Sequence, residues 1–118
     1  MQLNHINLTV TDVTGAAAFL QTYFGLKSMG GNKGMAFLQD DKGMVIALMK
    51  AKRADYPETF HIGFIQPSDA EVDAINERMK ADGFEVAAPQ RLHAWTFYVQ
   101  SPGGLTVEVL SLEEQGSR

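Results

Sequence analysis

Two histidines and one glutamate stand in this sequence where their side chains have a reason to meet. His5 and His61 occupy equivalent points of two strand-like segments offset by 56 residues, and Glu108 interrupts the valine-rich run Thr106-Val-Glu-Val-Leu110. Two imidazoles and one carboxylate are the donors of a mononuclear nitrogen/oxygen metal site that keeps positions open for water or substrate. The chain has no cysteine. Disulfides, thiolate nucleophiles and sulfur-ligated metals are thereby excluded, and His, Asp and Glu are the strong ligands left. The competing reading is plainer: a lone strand histidine is often only hydrogen-bonded, and a strand carboxylate can meet water on the open face of an antiparallel sheet.

The strand around Glu108 favours a site. Thr96 to Leu110 reads as two alternating strands joined by a turn at Ser101-Pro102-Gly103-Gly104, which puts Glu108 on one face with Thr96, Tyr98, Thr106 and Leu110. The stretch also has a copy. Phe37 to Met49 matches Tyr98 to Leu110 at an offset of 61, with Gln39 over Gln100, Gly43 over Gly104 and Ala47 over Glu108. His5-Ile-Asn-Leu-Thr-Val lies over His61-Ile-Gly-Phe-Ile-Gln, and Gly25-Leu26 over Gly83-Phe84. The chain is two copies of one unit.

Each unit reads as β-α-β-β-β, an α+β class. A first strand over Gln2–Val10 carries Leu3, His5, Asn7 and Thr9 on one face. Thr11 or Asp12 then caps a helix whose apolar positions Val13, Ala16, Ala17, Phe19, Leu20, Tyr23 and Phe24 recur at three and four, and Gly25 ends it. Strands follow over 26–31, 34–39 and 44–49. Residues 50–58 are the polar linker between module 1 (1–49) and module 2 (59–112). A strand over 59–66 leads to Ser68-Asp-Ala-Glu71, a capping box, and to a helix with the stripe Val72, Ile75, Met79, closed by Gly83. Strands over 84–87, 91–100 and 105–112 precede a polar tail, 113–118.

The 118 residues suit one compact domain whose two half-size units share a core, with 45% hydrophobic and 20% charged residues. A net charge of −4 and the lack of a basic cluster beyond Lys50 to Arg53 argue against nucleic acid as a partner. No apolar run reaches the roughly 20 residues that span a bilayer, and the chain opens directly in a strand, so no membrane partner and a cytoplasmic location are expected.

Leu3-Asn-His-Ile-Asn-Leu-Thr-Val-Thr-Asp12, Phe19-Leu-Gln-Thr-Tyr-Phe-Gly-Leu26, Phe60-His-Ile-Gly-Phe64 and Phe97-Tyr-Val-Gln-Ser-Pro-Gly-Gly-Leu-Thr-Val-Glu108 together resemble the vicinal oxygen chelate superfamily, which includes glyoxalase I, bleomycin-resistance proteins, fosfomycin-modifying transferases and extradiol dioxygenases. The resemblance covers nearly the whole chain. It implies paired βαβββ modules curled into a half-open barrel around one divalent metal ion (Fe, Mn, Zn or Ni), with His5, His61 and Glu108 as ligands. Tyr98 stands where extradiol dioxygenases carry a tyrosine and is the candidate catalytic residue. Asn7, Thr9 and Thr96, with Phe37 and Met49 as walls, are the candidate substrate contacts.

Departures from the family narrow the function. Ala47 stands where glyoxalase I has a further carboxylate, so its four-ligand isomerase site is absent. Ala87-Ala-Pro-Gln-Arg-Leu-His-Ala94 offers mainly Arg91 to a phosphonate, which argues against fosfomycin as substrate. The full triad argues against simple sequestration of the bleomycin-binding kind. A small metal-dependent enzyme with a dioxygenase-like two-histidine, one-glutamate site, acting on a small oxygen-bearing substrate, is the leading reading. A small-molecule binding or resistance protein and a glyoxalase-like lyase or isomerase are the alternatives. Extradiol dioxygenases also need a histidine acid-base, for which His93 is the nearest substitute, yet strand parity groups His93 with Trp95 and Phe97 on the face opposite Tyr98. A homodimer is expected, because a half-open barrel of two modules leaves one side of its sheets uncovered.

Overall fold

The computed structural model describes residues 1–113; of the expected tail, all but Glu113 lies outside the described residues. The elements run β1 (His5–Val10), α1 (Val13–Phe24), β2 (Lys27–Gly31), β3 (Met35–Gln39), β4 (Val45–Lys50), β5 (Ile62–Gln66), α2 (Asp69–Ala81), β6 (Gln90–Arg91), β7 (Trp95–Gln100) and β8 (Thr106–Ser111). The chain forms two compact units. The first comprises Met1–Glu58 together with Ser101–Leu105, and the second Thr59–Gln100 with Thr106 onward.

In the first unit the sheet order is β1-β4-β3-β2, with β1 parallel to β4 and the other pairs antiparallel. One face buries Leu8, Val10, Ala36, Leu38, Ile46 and Leu48, and α1 packs there through Val13, Ala16, Phe19 and Leu20. Complete burial of each large aliphatic contributes roughly 2 kcal/mol, which is why the alternation of these strands decides which residues are left for the other face. Asp12 caps α1 by accepting from the Gly15 amide at 2.9 Å, and Gly25 (φ 67°) ends it in the left-handed conformation.

Part of the first unit comes from late in the sequence. The Thr11 amide donates to the Gly103 carbonyl at 3.0 Å. Gly103 has φ +89°, and a Cβ there would lie 3.0 Å from the Cβ of Val10 and 3.1 Å from the amide nitrogen of Asp12, so only glycine fits. The segment expected to be a plain linker also has a role. The Tyr56 hydroxyl accepts from the Thr9 amide at 2.6 Å and donates to the Thr9 carbonyl at 2.7 Å, pairing the free edge of β1.

The second unit repeats the order as β5-β8-β7-β6. Asn7 opposes Ala47 in the first sheet as Gly63 opposes Glu108 in the second, so the offsets of 56 and 61 read from the sequence hold in the pairing. Ser68 caps α2 by accepting from the Glu71 amide at 3.2 Å, and Val72, Ile75 and Met79 are buried as the stripe requires. Gly83 (φ +96°) follows the helix, its amide bonded to the Lys80 carbonyl.

Two expectations are corrected here. Residues 84–87 form no strand: Asn76 of α2 donates to the Ala87 carbonyl at 2.9 Å, and Pro89 brings no amide to a ladder. The strand expected over 91–100 is interrupted, because Leu92 turns back to bond the Ala94 carbonyl at 2.9 Å and β7 starts only at Trp95.

Candidate metal centre

In β7 and β8, Tyr98 pairs with Glu108 and Thr96 with Leu110. The face carrying Val99, Val107 and Val109 is buried, and α2 packs against these strands. Glu108 therefore points to the other face, yet it is only 4% exposed because its neighbours close over it. Thr96 Oγ1 donates to Glu108 Oε2 at 2.6 Å. The one hydroxyl proton goes there rather than to the Val109 carbonyl at 3.2 Å. His93 Nε2 donates to the same Oε2 at 2.6 Å, and His61 Nε2 lies 3.1 Å from Oε1. Opposite the carboxylate stands Gly63, which adds no side chain beside it.

Burial is the largest influence on the Glu108 carboxyl and opposes its ionisation. The bonds from Thr96 and His93, with the charges of His93 and His61, outweigh it together and hold the carboxyl below the usual carboxylate range. The phenol of Tyr98 moves the other way: burial, then the charge of Glu108 and a hydrogen bond to it, push it up. Tyr98 is 40% exposed and meets the His61 ring edge-on at 5.3 Å.

Both expected histidine ligands are oriented in the same manner. His61 Nδ1 donates to the Thr59 carbonyl at 3.0 Å, and His5 Nδ1 is 2.8 Å from Asn4 Oδ1. An Nδ1–H held by an oxygen fixes the tautomer and turns Nε2 outward, as metal-binding histidines are usually held. With its Nδ1–H on the Thr59 carbonyl, His61 turns Nε2 to Oε1 across 3.1 Å, a contact that an electron-deficient atom, a proton on Nε2 or a cation beside both, would satisfy. Adjacent ligands at right angles, each about 2.1 Å from a metal, are about 3.0 Å apart, so the pair fits a divalent ion.

The second unit brings His61, Thr96, Tyr98 and Glu108 onto one face. His5, Asn7, Thr9, Phe37 and Met49 share a face of the first sheet, the one turned from the buried aliphatics, through the pairs Asn7 with Ala47, Thr9 with Met49 and Phe37 with Ala47. Among the described residues, no three or more His, Asp or Glu side chains already enclose a common point. In the second unit the two imidazoles take different oxygens of Glu108.

Three placements differ from the reading by sequence. His93 reaches Glu108, since it lies in the bend before β7, where strand parity does not apply. Thr96 is 2% exposed with its hydroxyl on Glu108, so it serves the carboxylate directly. Arg91 is held away from this face by an ion pair with the buried Asp69, and its guanidinium lies over Trp95, whose indole N–H donates to Asp73 at 2.8 Å.

A family model described as the Glyoxalase/Bleomycin resistance protein/Dioxygenase superfamily matches residues 2–109. The chain belongs to this superfamily. It is similar to the structure of a possible glyoxalase from Bacillus cereus, with 49% identity over 93% of this chain and 98% of that one, and a TM-score of 0.90. A variant of the fosfomycin resistance protein FosX from Listeria monocytogenes, solved with manganese(II) and 1S,2S-dihydroxypropylphosphonic acid, is 26% identical over 99% of this chain and 98% of its own, with a TM-score of 0.78. Lactoylglutathione lyase from Agrobacterium tumefaciens shares the fold at 22% identity, over 98% of this chain and 96% of its own, with a TM-score of 0.76. No curated protein sequence matches the chain. The superfamily's paired βαβββ modules are the two units described above. No helix among the described residues is long and apolar enough to cross a membrane.

Proposed function

We propose that this chain is a small metal-dependent enzyme in which His5, His61 and Glu108 hold one divalent ion and a small oxygen-bearing substrate is bound beside it. The observation that carries the reading is the His61–Glu108 pair: an imidazole locked at Nδ1, a carboxylate kept ionised, and donor atoms 3.1 Å apart. The manganese(II) in the FosX structure supports a metal of this kind. When bound, such an ion supplies Lewis acidity toward neighbouring oxygens of the substrate. Two histidines and one glutamate leave positions open for substrate and for a second reactant such as oxygen, which favours a dioxygenase-like site over a closed one.

The residues divide the remaining work. Tyr98, pushed above its ordinary value, stays protonated at neutral pH and donates a hydrogen bond rather than acting as a base. Thr96 and His93 orient Glu108. With Arg91 engaged by Asp69, the residues before β7 present no free guanidinium to a phosphonate, and a substrate without that group suits the site better.

The test is elemental analysis of protein purified anaerobically, wild type beside His61→Ala. One equivalent of divalent metal in the wild type and its loss in a still-folded variant is expected. Equal content in both would refute the ligand set. Retention of small-molecule binding after chelation would instead point to sequestration in the manner of bleomycin-resistance proteins. The proposal includes a homodimer, since Ile65 on the edge strand β5 is 61% exposed. Light scattering should give about 26 kDa, twice the 13.0 kDa of one chain.

A further inference from the structure

The bonds to Glu108 divide its two oxygens. Oε1 faces His61 Nε2, at 3.1 Å, while Oε2 receives the Thr96 hydroxyl and the His93 imidazole, each at 2.6 Å. We infer that Glu108 is a one-oxygen ligand, offering Oε1 to the metal while Oε2 is pinned by Thr96 and His93, and that His93 is thereby a positioning residue of the metal centre. The inference rests on the function proposed above and adds to it a residue outside the expected ligand set.

Three observations support the division. First, a carboxylate that accepts two short bonds at one oxygen cannot swing to give both oxygens to an ion without breaking them, so the bonds select one binding mode. Second, His93 Nε2 must carry its hydrogen to donate to Oε2, because an ionised carboxylate only accepts. That nitrogen has no lone pair for a metal, which separates His93 from His61, whose Nδ1 holds the hydrogen and whose Nε2 is turned to Oε1. Third, the two donors differ in kind. Thr96 is buried in β7 and its hydroxyl is fixed by the strand, whereas the His93 side chain is 53% exposed on a bend and has little packing to lose. A half-exposed ring aimed at a buried carboxylate is held there by the bond itself.

Removing an outer partner of a metal ligand commonly weakens affinity about 10- to 100-fold. The test is a titration with manganese(II), following free ion by electron paramagnetic resonance and heat by calorimetry, on wild type, His93→Ala, His93→Gln, Thr96→Val and Thr96→Ser. His93→Ala should bind one ion about 10-fold or more weakly with a changed spectrum of bound manganese. His93→Gln, whose amide N–H can reach Oε2, should recover most of the affinity and the wild-type spectrum. Thr96→Val should weaken binding and Thr96→Ser should not. Secondary structure followed by circular dichroism should be unchanged in the His93 variants. Wild-type affinity in His93→Ala would overturn the inference and leave the metal reading intact. Loss of the stoichiometric site in both His93 variants would overturn it in favour of direct ligation. Wild-type protein that takes up no manganese would refute the proposed function, and this inference with it.

Discussion

Replacing Tyr56 by phenylalanine removes one oxygen atom and two hydrogen bonds, both to the backbone of Thr9 in the strand that carries His5. The Tyr56 hydroxyl accepts from the Thr9 amide at 2.6 Å and donates to its carbonyl at 2.7 Å. Each such bond contributes roughly 1 kcal/mol net, so the pair should contribute about 2 kcal/mol; water reaching the strand edge in the variant would reduce the loss toward about 1 kcal/mol. An unfolding entropy of about 2.1 cal/mol/K per residue gives about 0.25 kcal/mol/K for this chain, so Tm should fall by roughly 4 to 8 °C. Thermal melting followed by circular dichroism measures this directly, and the urea midpoint should drop with an unchanged slope. A change in Tm below about 1 °C would refute the argument, because the two backbone groups would then be as well satisfied without Tyr56 as with it.

The remaining predictions concern the second unit. The Glu108 carboxyl titrates lower in the folded protein than in the unfolded chain, so its contribution to stability is complete above the unfolded value of roughly 4.3 and is lost as pH falls through the folded one. Urea midpoints of metal-free wild type and Glu108→Gln, taken from about pH 7 down to about pH 3, should therefore converge in acid; a constant gap would contradict the shift. Ser68→Ala removes the bond to the Glu71 amide and should cost about 1 kcal/mol, near 4 °C in Tm, with metal content unchanged. Metal loss in that variant would show that the start of α2, whose Asp69 pairs with Arg91 just before the bend carrying His93, supports the site.

What the sequence made legible follows from strict periodicities. Alternation in β7 and β8 put Glu108 opposite Tyr98, and the register has that pair. Helix ends were equally readable, because Asp12, Gly25 and Ser68 are residues whose side chain or backbone freedom itself makes the cap. His93 was misplaced by the same periodicity that placed Glu108 correctly. A three-residue bend at 92–94 breaks the count, and neither glycine nor proline marks it. Thr96 was read as a substrate contact because its face was predictable and its hydrogen-bond partner was not. Tyr56 was invisible for another reason: a tyrosine in a polar stretch gives no sign of which strand edge its hydroxyl reaches across 47 residues.

The turn at Gly103 bears on how the protein is made. Residues Ser101–Leu105 complete the first unit, and they close on Thr11 and Asp12 at the start of α1. Synthesis runs from the N-terminus, so during translation the first copy must wait for the last hairpin of the second before the beginning of its own helix is covered. The early half therefore completes its contacts only after the late half has been made. A gene cut at residue 58 would encode a first product missing a piece of its own unit and a second product bearing a turn with nothing to close upon. The ancestral duplication still visible in the sequence offsets is thus no longer reversible by simple division, and a permuted or split version of this protein would have to keep residues 101–105 covalently or spatially available to the first strand and helix.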